Sequence, residues 1–219
     1  MPETTTLPPK FQMEALTGRF QSIALVGNSP KLLEADHGAA VDAHDVVIRI
    51  NDGPTAGLER HTGTRTSVRF LGAPMKARYR DFFSGLVEDS VIATRSENGP
   101  ALAELGWSGR MVLIQKYGWI MRNAFKRLTE VIDIAEIPAR NPRTGILLLS
   151  MLTDAMQAGR RISMYGFELA ERREGPEHFF DDKRSMADVM QSWDKFHCPP
   201  EYEFSAIRKL RDRGFVEVN

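Results

Sequence analysis

A single cysteine, Cys198, stands among 219 residues, so no internal disulfide can form and the fold needs no oxidising compartment. Followed by Pro199 and Pro200, it reads either as a plain thiol or as a nucleophile. Excess charge is also missing. With 29 basic and 29 acidic residues, no global field steers the chain towards nucleic acid or an anionic membrane, and any bound anion must be held by a local site. Long apolar runs are absent as well: the longest, "GILLLSML", is far too short to span a bilayer. The N-terminal "MPETTTLPPK" lacks a basic region followed by an apolar stretch. Together these absences predict a cytoplasmic protein without nucleic-acid partners. Neither GxGxxG nor GxxxxGK[ST] occurs, which speaks against a nicotinamide oxidoreductase or a P-loop enzyme. No strong metal motif is present either, and the Asp181, Asp182 pair reads as a solvated turn.

The remaining composition is that of a globular chain. It is 42% hydrophobic and 26% charged, enough to bury one sizeable core. Residues 1–12, rich in Thr and Pro, are expected to form a flexible arm, and 13–219 a single domain. Short apolar runs predict strands at 22–27, 45–51, 66–72, 90–94, 111–115 and 161–167. Helical patterns fall between them, at "PKLLEAD", "MKARYRDFFSGL", "WIMRNAFKRLTEVI" and 141–159, the last closed by Gly159. Strands alternating with helices imply an α/β, Rossmann-like domain with a mostly parallel sheet covered by helices on both faces. The last fifty residues do not continue this rhythm and are expected over one edge of the sheet.

Ligands of such sheets sit beyond the carboxyl ends of the strands. That rule selects "GNSP", "IND", "NPRTG" and "YGFE". Gly27 lets the backbone turn close to a ligand, while Asn28 and Ser29 either contact that ligand or cap the next helix. Asn51 is a turn former or a ligand contact. Thr144 and Gly145 open a helix and read as an anion site or as a simple cap. Tyr117, Trp119, Phe179, Phe180 and Trp193 are candidate sugar-stacking aromatics or core residues. The basic cluster "MKARYR" is a solvated helix face or a patch for weak peripheral contact with an anionic inner-membrane surface.

The joint pattern carries more than any one segment. The run from Ile23 to Phe70 places Gly27, Asn28, Ser29, Gly38, Asp42, His44, Asp45, Val47, Ile48, Arg49, Asn51, Gly57, Glu59, Gly63, Arg65 and Thr66 in order. It resembles the long sialylmotif of the eukaryotic-type sialyltransferases, glycosyltransferase family 29. Downstream, Pro142, Thr144, Gly145, Tyr165, Gly166 and Phe167 are similar to the short sialylmotif, with Arg143 where Ser or Thr is usual. "EHFFDD" resembles the HYY element with Phe179 and Phe180 for tyrosines, and His197 stands where the family has a histidine followed by a glutamate, either Glu201 or Glu203 here. The resemblance spans residues 22 to about 203. Cysteines that the secretory-pathway members join between these motifs are missing, as are their anchor and stem, so the chain is expected to be a short, bacterial-like cytoplasmic relative.

What the resemblance implies is a GT-A-like, inverting, metal-independent glycosyltransferase. Its donor would be CMP-sialic acid or a related CMP-sugar, with no cofactor, and its acceptor a glycan or glycolipid hydroxyl. His197 would be the general base and His178 the group on the leaving phosphate; Gly27, Asn28, Ser29, Asn51, Thr144, Gly145, Tyr165 and Gly166 would bind the donor. Imidazole suits both catalytic tasks at neutral pH. His37, His44 and His61 are assigned no catalysis. The alternatives are a CMP-Kdo-type transferase of the same fold and a non-catalytic CMP- or glycan-binding module.

Overall fold

The structure, a computed structural model, describes residues 4–7, 20–86, 88–134, 140–172, 174–188 and 197–219. In chain order its strands are β1 (Thr4–Leu7), β2 (Ser22–Val26), β3 (Val46–Ile50), β4 (Val68–Leu71), β5 (Val91–Arg95), β6 (Met111–Ile114), β7 (Arg161–Tyr165), β8 (Pro176–His178), β9 (Asp181–Ser185) and β10 (Glu217–Val218). The α-helices are α1 (Gly38–Asp42), α2 (Glu59–Thr62), α3 (Ala77–Ser84), α4 (Gly99–Glu104), α5 (Tyr117–Val131), α6 (Thr144–Met151), α7 (Thr153–Gln157) and α8 (Pro200–Asp212). Eight strands form one sheet in the order β1-β6-β5-β4-β3-β2-β7-β10. Every neighbouring pair in it is parallel. A separate antiparallel hairpin joins β8 and β9.

Period-two alternation sorts the strand residues between two cores. Ile23, Leu25, Val46, Ile48, Val68 and Phe70 pack with α5, α6, α7 and α8 on one face. On the other, Ala24, Val26 and Val47 meet Leu32 and Val41, while Leu71, Ile92 and Met111 meet Tyr79, Phe83 and Leu102. The α/β class and the six expected strands are therefore observed.

Three expectations need correction. Thr4–Leu7 lies within the stretch expected to be a free arm, yet it is an edge strand in register with Met111–Ile114 of β6. Its three threonines are β-branched and favour the extended state, a signal that the neighbouring prolines obscured. The C-terminal segment does resume the βα rhythm, because β10 adds to β7 after α8, although two residues are too few to show a period. The helix expected over 141–159 is broken at Leu152. There Ser150 Oγ donates to the Ile146 carbonyl and Thr153 Oγ1 to that of Ser150, both at 2.7 Å, and such back-bonding bends helices.

Two arginines break the apolar alternation. Arg49, 2% exposed, donates to the carbonyls of Thr62 and Arg65, both at 2.8 Å from Nη2, and burial lowers its pKa to about 10. Arg69 forks onto Glu88 through Nε and Nη2, and its Nη1 donates to the carbonyls of Asn51 at 3.0 Å and Gly53 at 3.1 Å. The turn after β3 is thus held from beneath by a buried cation whose charge Glu88 balances.

Candidate active site

The crossover order changes direction at β2, which has β3 on one side and β7 on the other. A crevice is expected there, beyond the carboxyl ends, and a cleft of about 680 Å³ occupies it. Gly27, Asn28, Ser29, Asn51, Thr144, Gly145, Gly166, His178 and His197 all line it, so segments up to 170 residues apart in sequence converge on one cavity. A second hollow of about 830 Å³ lies beside the Arg69–Glu88 pair. Its arginines, Arg65 and Arg69, are committed to backbone carbonyls and to Glu88, so the cleft at the switch point is the better candidate.

The glycines are explained by one ring. Phe167 lies between the two motif loops: a Cβ on Gly27 would come within 2.9 Å of its Cε2, and one on Gly145 within 2.7 Å of its Cε1. That same Cβ on Gly27 would also stand 2.5 Å from the Gly166 carbonyl oxygen, and Gly166 itself has φ 68°. Side chains at these positions would push the loops apart.

Polar side chains of the first loop hold the site together. Asn28 Nδ2 donates to the Ile50 carbonyl at 3.1 Å, and its own carbonyl accepts from the Phe179 amide at 3.0 Å, which ties β2, β3 and the β8–β9 hairpin. Ser29 Oγ accepts from the Lys31 amide at 3.2 Å, capping the 3₁₀ turn Pro30–Glu34, and donates to Glu168. Its capping and site-lining roles therefore coexist. Glu168 in turn pairs with Arg172 Nε at 3.0 Å. Asn51 has φ 52°, a conformation asparagine tolerates better than most residues; its Oδ1 accepts from the Gly72 amide at 3.2 Å.

Tyr165 does not join them. Its ring is buried on the opposite face of the sheet with Ala24, Val26 and Leu32, edge-on to His37 and His44, and only its carbonyl serves the site by accepting from the Gly27 amide at 2.8 Å. The reason is register: Tyr165 closes β7 with its side chain pointing away, and the αL turn at Gly166 sends Phe167 into the cleft instead.

Both candidate histidines are perturbed. His178 stacks on Phe180, centroids 5.3 Å apart and nearly parallel, and burial is the chief cause that lowers its pKa. Its Nδ1 is buried without a hydrogen-bond partner. Burial likewise lowers the pKa of His197, against the Glu203 carboxylate, which raises it. His197 Nδ1 makes no hydrogen bond within ordinary limits, although the Asn141 backbone lies close enough to favour the charged ring. Of the two candidate glutamates, Glu203 is the one that faces the site. It is 3% exposed, and it accepts from the Arg143 amide at 2.7 Å and from Arg143 Nε at 3.1 Å, whereas Glu201 is exposed and pairs with Arg208. Cys198 is fully buried, with its thiol pushed up to about 12, so it is no nucleophile at neutral pH.

Several lining residues were not picked out as site residues from the sequence. Arg78 is held by Asp52 at 3.3 Å and donates to Tyr79 at 2.8 Å; Arg95 lies 5.3 Å over the Tyr117 ring. Lysine and arginine outnumber carboxylates among the lining residues, five (Lys76, Arg78, Arg95, Arg143, Arg172) to three (Glu168, Glu177, Glu203), so a neutral chain concentrates positive charge where an anion would sit. Asp181 lies in strand β9 rather than a turn, 4.0 Å from Arg78. Trp193 falls outside the described residues. Among the described residues no three His, Cys, Asp or Glu side chains gather as a metal-holding group, and no helix is long and apolar enough to cross a membrane.

Known proteins share parts of this sequence and this parallel-sheet fold. Residues 2–91 match the model of glycosyltransferase family 29 (sialyltransferase). A beta-galactoside alpha-2,6-sialyltransferase 2 of Takifugu rubripes is 34% identical over 94 residues, 40% of this chain and 18% of that protein. A human CMP-N-acetylneuraminate-beta-galactosamide-alpha-2,3-sialyltransferase 1 is 50% identical over 44 residues, 20% of this chain and 13% of that one. The fold matches a crystal structure of a mammalian sialyltransferase with TM-score 0.55 and 17% identity, over 91% of this chain and 69% of the other. Residues 2–91, less than half of the chain, are what is similar to glycosyltransferase family 29. The chain's sequence matches cover less than a fifth of each of these two relatives.

Proposed function

We propose that the protein transfers sialic acid, or a related nonulosonic acid, from a CMP-linked donor to a sugar hydroxyl, with inversion and without a divalent metal. The observation that carries this reading is the convergence of Asn28, Asn51, Thr144, His178 and His197 on one cleft of positive character. In this reading Gly27, Asn28, Ser29, Asn51 and Gly166 bind the nucleotide side, and Thr144 with the Gly145 amide holds the ribose or the donor carboxylate. His197, neutral because burial lowers its pKa, accepts the proton of the acceptor hydroxyl. The freed oxygen bonds to the anomeric carbon as the bond to the CMP phosphate breaks. His178 hydrogen-bonds or protonates the departing phosphate, and Arg78 in the same cleft adds positive charge. Because the leaving group is CMP, a single phosphate monoester rather than a diphosphate, this charge suffices without a metal.

The test is single-turnover transfer from CMP-N-acetylneuraminic acid to galactosides in excess EDTA, with CMP-Kdo as the competing donor. His197→Ala is expected to lose turnover and keep CMP affinity. A wild-type protein that binds CMP yet transfers neither acid to any acceptor would leave the binding-module reading in its place.

A further inference from the structure

Among the described residues, the buried Tyr117 hydroxyl has no hydrogen-bond partner. The residue is 9% exposed and lines the cleft. A phenol left so costs free energy unless a ligand completes it. Its placement is built rather than incidental. Tyr117 opens α5 directly after Lys116, whose φ of 49° turns the chain off β6, and its ring packs against Phe70 with centroids 6.4 Å apart. A Cβ on Gly72 would stand 2.9 Å from the hydroxyl and 3.0 Å from Thr144 Oγ1, so this glycine leaves space in front of both oxygens. Arg95 covers the ring at 5.3 Å and, among the described residues, pairs with exposed Glu97 at 3.4 Å. Burial raises the phenol's pKa further, which keeps it neutral and able to donate.

We infer that Tyr117 is a specificity-determining residue whose hydroxyl hydrogen-bonds a hydroxyl or carboxylate of an acidic sugar, with Arg95 supplying the opposing charge. This rests on the transferase reading for which sugar arrives, and it places the acid towards β4 and β5, away from the nucleotide loop after β2. A hydroxyl-reading site of this kind discriminates strongly, because a sugar lacking the matching group leaves the phenol unpaired.

Ligand-observed NMR titration of the full chain with the methyl glycoside of N-acetylneuraminic acid tests it, with methyl β-galactoside as the neutral control and CMP titrated separately. Tyr117→Phe is expected to weaken the acid by about tenfold while leaving CMP affinity unchanged, with a melting temperature equal to or above wild type because an unpaired buried oxygen has been removed. Arg95→Gln is expected to weaken the acid and not the galactoside. Unaltered acid binding in Tyr117→Phe, a loss confined to the galactoside, an equal loss of CMP, or wild-type protein that binds CMP but not the acid would overturn the inference. Wild-type protein that binds the acid through Tyr117 but does not bind CMP would retain the inference and defeat the transferase reading.

Discussion

Glu203 accepts a hydrogen bond from the amide of Arg143, sixty residues earlier, at 2.7 Å, while its second oxygen holds the Arg143 guanidinium at 3.1 Å. Arg143 is the residue from which α6 starts, so this one carboxylate fixes the loop that presents Thr144 and Gly145 to the cleft. Removing it takes the acceptor from the Arg143 amide and one partner from the guanidinium. Glu203→Ala should therefore cost about 2–4 kcal/mol of stability, with Glu203→Gln milder because it keeps one acceptor for the amide. Denaturant unfolding measures both; equal stability of all three proteins would show that the loop is held otherwise.

The Phe167 ring predicts a pair of compensating substitutions. Gly145→Ala places a methyl 2.7 Å from Phe167 Cε1 and should destabilise by about 1–3 kcal/mol. Adding Phe167→Leu, which withdraws the ring edge, should recover part of that loss. A thermal melt in which the double variant is worse than the sum of the singles would contradict the packing account.

Arg69 is expected to resist conservative replacement. It donates to two carbonyls and to Glu88 at once, a pattern lysine cannot reproduce with a single ammonium. Arg69→Lys should lower stability by about 2–4 kcal/mol and weaken CMP binding, since the αL turn at Asn51 loses its support. Normal CMP affinity in a destabilised Arg69→Lys protein would separate the turn from donor binding.

The histidines set a pH dependence. In the folded protein His178 and His197 both have pKa values below the ordinary 6.5, chiefly through burial. Below 6.5 the unfolded chain binds protons that the folded chain refuses, so stability is full above that pH and declines as pH falls through the window beneath it. The acidic limb of kcat/KM should also lie below pH 6.5, because His197 stays neutral there. A limb above 7, or stability that rises on acidification from 7 to 5.5, would contradict the burial of these rings.

Much of the fold was readable because central parallel strands are mostly apolar runs: "SIALV" and "VVIRI" are buried at every position, Arg49 included. The edges were not, since Thr4–Leu7 and Glu217–Val218 owe their extended state to a neighbour already in place. Motif spacing found the residues that line the cleft yet could not tell which way each side chain points. Tyr165 and Phe167 are two residues apart, and the turn at Gly166 sends one behind the sheet and the other into the site. Glu203 was left level with Glu201 for the same reason; only the direction of the α8 face decides that Glu203 is the buried one. Tyr117 was legible as an aromatic but not as an unpaired hydroxyl, because partnership is a property of three dimensions.

In the proposed function, the cleft after β2 holds the CMP portion of a sugar donor without a metal. Calorimetric titration of the purified chain with CMP in excess EDTA, with UMP and AMP as controls, tests it most directly. Saturable binding selective for CMP, undiminished by the chelator, is expected. Absence of heat with a folded sample, binding that appears only when divalent metal is supplied, or equal affinity for all three nucleotides would contradict it.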